Sequence, residues 1–303
     1  MGRYLKSTGE IFISYWLLIT ASFFLLRLLP GGPFDLDHKL PSTVYNHLNK
    51  SWGLDRSLIE QYFFYLGDLL QGNMGISYFH SSSTVAEIIW DSFLRTIDLC
   101  LIALGFIFSL SFLSSWLLVK YKSLWIAKYF HQFIVLMGAL PTLFLGPALI
   151  YLFSYYFEIL PIAFLQGWQS YILPVLTLSF RPISQLTRLL HSSWLESLEE
   201  DFIRTARAKG LSENYILWRH GLRYSLSPLL GWIPHLILGI LSGTVFIEIL
   251  FSINGLGFVF VEAINQRDYP LIMGATIFYG MLTITIVGIS EILRMRLDPR
   301  GHL

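Results

Sequence analysis

Six apolar stretches, each about as long as a bilayer is thick, constrain this chain more than any other feature. A membrane-crossing helix needs roughly 20 mostly apolar residues. The runs 11–29, 97–119, 133–157, 171–190, 227–250 and 271–289 meet that length. Backbone polar groups in lipid have no water to bind, so such runs must be helices. Composition agrees: the 303 residues are 54% hydrophobic and 14% charged, against about 25% charged in soluble domains. The fold expected is an all-α membrane protein of six transmembrane helices. It would form a single membrane domain over 1–303: a first span, an extracytoplasmic segment 30–96, and a five-helix core 97–290.

The first run follows Arg3 and Lys6, as a secretory signal would. It continues through "ASFFLLRLLPGGP" without a small-residue cleavage pattern, so it reads as a retained span, with Pro30, Gly31, Gly32 and Pro33 as its stop. The fourth run carries Arg181, Pro182 and Arg188, and such charges must snorkel or face a protein interior. Pro141, Pro147 and Pro234 lie inside other runs, which implies a packed bundle with kinked helices. The lone Cys100 excludes an intrachain disulfide and reads as a small buried hydrophobe.

Orientation follows from Lys and Arg, which accumulate on the cytoplasmic side. Segments 1–10, 120–132, 191–226 and 290–303 hold 13 of the 21 within 73 residues; the opposite segments hold 5 within 100. Both termini are therefore expected in the cytoplasm, with 30–96 outside. In that outer segment "STVYNHLNKSWGL" and "RSLIEQYFFYLGDLLQG" have helical amphipathic spacing. Ile59, Tyr62, Phe63, Leu66, Leu69 and Leu70 fall toward one side, as a packing cap or a docking surface would have them.

The polar insert "EDFIRTARAKGLSENYILWRHGLR", 200–223, stands out against this background, and from Asp201 to Arg223 its net charge is +3. Glu196, Glu199, Glu200 and Asp201 precede Arg204, Arg207 and Lys209, the order that suits a helix dipole. Gly210 is a natural C-terminal stop, and Ser212 a cap for a helix beginning at Glu213. Two short cytoplasmic helices meeting at Lys209-Gly210-Leu211 are expected, with Phe202, Ile203 and Ala206 on one face of the first. Ala206, Ala208 and Gly210 keep the surface thin enough for a partner's groove to approach. A solvated loop and a docking element both fit this composition. A DNA-binding helix-turn-helix does not, because the flanking spans tie the segment to the membrane.

Enzymatic signatures are missing. A phosphate-binding loop needs Gly-Lys before Ser or Thr, and no Gly-Lys dipeptide occurs. Neither His-Glu-x-x-His nor Gly-x-Ser-x-Gly is present. Intramembrane His235 and Glu248 could line a path, but His235 after Pro234 also suits a freed carbonyl, and Glu248 a boundary reaching water. Arg181 and Arg188 read as the inner end of the fourth span, and Asn254, Gly255, Leu256 and Gly257 as a turn-rich loop. No substrate site is assigned from these.

"FIRTARAKGL", 202–211, resembles the cytoplasmic coupling motif of binding-protein-dependent ABC importer permeases. Ala206 and Gly210 match the last Ala and the Gly of the family's Glu-Ala-Ala-x-x-x-Gly pattern, while Arg204 and Thr205 replace its first two residues. That departure resembles the peptide and nickel branch. "LLPGGPFD", "GLDRSLIEQYFFYLGDLLQGNMGIS", "EILFSINGLGFVFVEAINQRDYPLI" and "LDPR" follow in order and resemble the B-type permease of dipeptide and oligopeptide importers. "PGGPF" followed by "HKLPSTV" is closer to the oligopeptide form. The resemblance implies a second permease, two ATPase subunits that carry ATP and magnesium, an extracytoplasmic peptide-binding protein, a peptide as solute, and no nucleic acid. It gives Arg204, Thr205, Ala206, Arg207, Ala208, Lys209, Gly210 and Leu211 the role of docking in an ATPase cleft. A dipeptide or nickel permease, and an ATP-independent secondary transporter, are the alternatives.

Overall fold

The computed structural model describes residues 2–28, 53–80, 82–162 and 167–297. The stop at 30–33, the amphipathic stretch from Ser42 to Leu54 but for its last two residues, and most of "LDPR" lie outside them. Among the described residues eleven α-helices carry the chain: α1 Gly2–Arg27, α2 Leu58–Leu70, α3 Val85–Lys120, α4 Trp125–Ala139, α5 Thr142–Leu149, α6 Ile172–Ser197, α7 Asp201–Ala208, α8 Glu213–Tyr215, α9 Leu222–Leu250, α10 Leu256–Gln266 and α11 Tyr269–Leu297. Four of them are long and apolar enough to cross a membrane, over Gly9–Arg27, Val85–Lys120, Gly231–Leu250 and Tyr269–Ser290. A fifth candidate is a bent pair. α6 is 26 residues long, but its Arg, Gln, Thr and Ser content keeps it out of that apolar set.

The third apolar run is sharply bent, as its prolines imply. α4 ends at Ala139, and Leu140 turns extended, with ψ 124, ahead of Pro141; a residue before proline is pushed out of the helical region. α5 and its π-helical continuation Ile150–Tyr156 then leave at 101° to α4. The second span also differs, because α3 starts at Val85 rather than 97. Thr84 and Glu87 form a reciprocal cap there, each accepting the other's backbone N–H, at 3.0 and 3.3 Å. Of Asn254, Gly255, Leu256 and Gly257, read as a turn-rich loop, the last two are instead buried residues at the start of α10.

Residues 1–95 and 254–289 form one compact unit. Here α1 packs on α11 through small residues: a Cβ at Gly280 would lie 2.3 Å from Leu18, and one at Gly288 2.8 Å from Ile11. Close backbone approach of this kind drives helix association where the hydrophobic effect is absent. Tyr15 and Thr285 add a 2.7 Å hydroxyl hydrogen bond. α2 starts from a Ser57–Glu60 capping box and packs Tyr62, Leu66 and Leu69 on Phe23 and Tyr269. Ile59, Phe63 and Leu70, expected on the same side, are exposed. At 100° per residue they lie roughly 60–100° around the helix from Tyr62, so the buried stripe is narrower than the apolar one.

Residues 96–253 belong to the second unit. α6 runs through it with fourteen buried residues. Its contacts are small and polar: Ser111 and Ser115 on α3 donate to the carbonyls of Ile183 and Thr187 at 3.4 and 3.0 Å. Gly138 on α4 is so close to Ser184 that a Cβ would overlap it. Glu248, read as a boundary residue, is instead fully buried, accepting a 2.7 Å hydrogen bond from Thr96. Cys100 is buried, as its apolar setting indicates.

Candidate functional site

The polar insert folds as a stiff, capped unit. α7 begins after Glu200 and ends at Ala208; Lys209 closes it and Gly210 takes a left-handed φ of 75°. The Leu211 N–H reaches the Ala206 carbonyl at 3.3 Å and the Gly210 N–H reaches that of Arg207 at 2.9 Å. This is a Schellman stop, which satisfies carbonyls the helix would leave open. Ser212 then accepts the Tyr215 N–H at 3.4 Å, capping α8 as expected.

The second helix is not short. From Glu213 the helical chain runs through a π-helical turn, Ile216–Gly221, directly into α9 and on to Leu250. No proline or strained residue lies between Glu213 and Leu222, and the wider π turn absorbs the change in register. The insert is thus joined to α9 by continuous helix.

Two side-chain arrangements hold α7 to this helix. Outside, Arg207 donates from Nε and Nη2 to both carboxylate oxygens of Glu213, at 2.8 and 3.3 Å, across the Gly210 turn. The hydrogen bond to Arg207 holds the Glu213 carboxyl below its ordinary range and raises the guanidinium. Both groups are exposed, so the pair contributes only about 0.5 kcal/mol. Inside, Ile203, Ala206 and Ile216 form a buried cluster against Leu198.

Ala206 thus sits 4% exposed, facing its own chain. Its small size serves α7–α8 packing, so it is not part of the surface open to a partner. That open surface comprises Arg204, Thr205, Arg207, Ala208, Lys209, Gly210 and Leu211, with Phe202 beside them. Arg204 makes an exposed 3.1 Å pair with Asp201.

Beneath the insert, Trp194 of α6 is fully buried against Val119 and Leu217. Its Nε1 donates to the Leu217 carbonyl at 3.2 Å, and Gly221 passes so close that a Cβ would lie 2.6 Å from Nε1. Trp194 and Gly221 were not singled out from sequence. A tryptophan near the end of an apolar run reads as an interfacial anchor, and nothing local pairs it with a glycine 27 positions on.

Of the intramembrane candidates, Arg181 and His235 line one cavity together, while Glu248 and Arg188 do not line it. Arg181 lies nine residues into the 26-residue α6, about 14 Å along it.

The fold and the insert together define the class: a multi-pass helical membrane protein that carries a rigid, charged helix between two of its long helices. A crystal structure of an amino acid ABC transporter with histidines shares the fold, with a TM-score of 0.56 over 70% of this chain and 94% of that one, at 12% identity. Residues 111–301 match the family described as binding-protein-dependent transport system inner membrane component, and the chain belongs to that family. It is 33% identical to the dipeptide transport system permease protein DppB of Lactococcus lactis subsp. cremoris, over 99% of this chain and 98% of that one. The oligopeptide transport system permease protein OppB of Haemophilus influenzae is also 33% identical, over 98% and 97%. OppB of Salmonella typhimurium is 32% identical, over 98% and 97%. The chain is accordingly a multi-pass inner-membrane transport component and not an enzyme.

Proposed function

We propose that this chain is one permease of an ABC importer for peptides, paired with a second permease, two cytoplasmic ATPases and an extracytoplasmic peptide-binding protein. α6 completes a six-span arrangement, both termini lie in the cytoplasm, and ATP and magnesium are bound by the ATPases. Residues 204–211 form the coupling element: the ATPase grips this segment, and nucleotide-driven closure moves α9 through α8. The observation that carries the reading is the insert itself, an exposed helix stopped by a Schellman turn and continuous with a membrane helix. An effector shifts an equilibrium only through contacts that differ between states, and a rigid arm of this kind delivers such contacts to the bundle. Within the peptide class the oligopeptide form is favoured by "PGGPF", although relatives of both names align equally well.

Exposed Ala208 gives the clean test. Ala208→Glu should abolish co-purification of the ATPases and binding-protein-stimulated ATP hydrolysis while the permease pair still assembles. Undiminished stimulation in that variant would refute the coupling role. Ala206→Glu is a poorer probe, because it buries a carboxylate in the chain's own cluster and unfolds the insert. Uptake of peptides of two to six residues by the reconstituted complex separates the oligopeptide from the dipeptide form. Uptake driven by a proton gradient without ATP would point to a secondary transporter.

A further inference from the structure

α6, taken as a span, and α9 each carry a row of polar or small residues on an exposed face. On α6, Arg181, Gln185 and Arg188 follow one another at four and three residues. On α9, His235, Gly239 and Ser242 do the same within the apolar window Gly231–Leu250. These spacings stack side chains on a single helix face. The two helices are in contact, since Gly243 comes so near Leu178 that a Cβ would lie 3.0 Å away. Arg181, Gln185, His235 and Ser242 consequently share the wall of one cavity of about 530 Å³, with Leu143 and Trp232 as apolar lining. That volume lies within the range of roughly 300–1,000 Å³ typical of small-molecule sites.

Charge makes the cavity selective. No Asp or Glu is among its lining residues. Among the described residues nothing forms a hydrogen bond or an ion pair with Arg181 or His235, and both are exposed. A guanidinium at membrane depth is expensive against lipid and persists where it faces water or a counter-charge. Its planar fork matches a carboxylate with two parallel hydrogen bonds. We propose that this cavity is a water-filled part of the transport path in which Arg181 holds the C-terminal carboxylate of a peptide. Gln185 and His235 offer further hydrogen bonds, and Trp232 an apolar wall for a side chain. The peptide as occupant rests on the import reading given above; the water-filled anion site rests only on α6 being a span.

The test uses the complete transporter in lipid vesicles, with Ser242→Cys as a reporter thiol in the cavity and Cys100 left in place, since it is buried. Labelling rates with an anionic and a cationic methanethiosulfonate are compared. Arg181 should favour the anionic reagent at least about fivefold at low salt. Arg181→Gln should erase the preference, and Arg181→Lys should keep it. A free-acid tripeptide should protect the thiol, and its C-terminal amide should not; this comparison needs no Arg181 variant. Failure of both charged reagents to label, as when an acid of a partner subunit covers Arg181, would overturn the proposal. So would a rate ratio indifferent to Arg181→Gln, or equal protection by acid and amide. Absence of peptide uptake by the unaltered complex, with the anion preference intact, would sink the peptide reading and leave the anion site standing.

Discussion

Replacing Gly221 by alanine tests the joint beneath the insert. The new Cβ would lie 2.6 Å from Nε1 and 2.8 Å from Cδ1 of Trp194, and 3.3 Å from Oγ of Ser197. Trp194 is fully buried, so it has no free side to move into, and overpacking of this kind costs about 1–3 kcal/mol. Displacing the indole also breaks its 3.2 Å hydrogen bond to Leu217, about 1 kcal/mol more for the orphaned N–H. Against this, alanine favours helix over glycine by up to about 1 kcal/mol. The clash wins, with a net loss of about 1–3 kcal/mol. At 1.4 kcal/mol per decade, this is roughly a 5- to 150-fold rise in local opening. Hydrogen–deuterium exchange of residues 201–217 in the assembled complex measures it, and substrate uptake per ATP hydrolysed should fall with it. Trp194→Ala added to Gly221→Ala should cost less than the two changes summed, because the clashing ring is gone. Exchange and coupling both unchanged in Gly221→Ala would refute the joint.

Gly210→Ala meets no atom within 4 Å, so its cost is confined to the left-handed φ, about 1–2 kcal/mol. Gly210→Pro also removes the N–H bonded to Arg207 and should uncouple transport; stimulated ATPase activity distinguishes the two. The Arg207–Glu213 pair sets a pH dependence. Glu213 is depressed in the folded insert by its Arg207 hydrogen bond, so its stabilisation is complete above the ordinary carboxylate range. It is lost as pH falls through the lower folded value. The protection factor of α7, that is its exchange corrected for the intrinsic rate, should be flat from pH 6 to 8, fall only below about 4.5, and lose that acid limb in Glu213→Gln.

Much of the insert was legible in the sequence because its signals are local. A glycine tolerates positive φ, a serine caps a helix, and acids before bases suit a dipole, whatever lies elsewhere. Ala206 marks the limit of that reading. Its size is visible in sequence, but whether smallness serves a partner or the chain's own packing depends on Ile216 ten residues away. The outer stripe on α2 failed similarly, since apolar character does not say which of two adjacent faces meets Phe23 and Tyr269.

By itself the sequence determined that the chain is an all-helical membrane protein, where most of its apolar helices lie, and how the polar insert stops and restarts. Those outcomes follow from the solvation of each residue and from bonds within one or two helical turns. Only the tertiary structure decided the burial of Glu248 beside Thr96 and the seating of Trp194 against Gly221. It alone brought Arg181 and His235 to one cavity. Each of these depends on a contact between different helices, and lipid leaves such contacts to shape and hydrogen bonding, which no periodicity along the chain records.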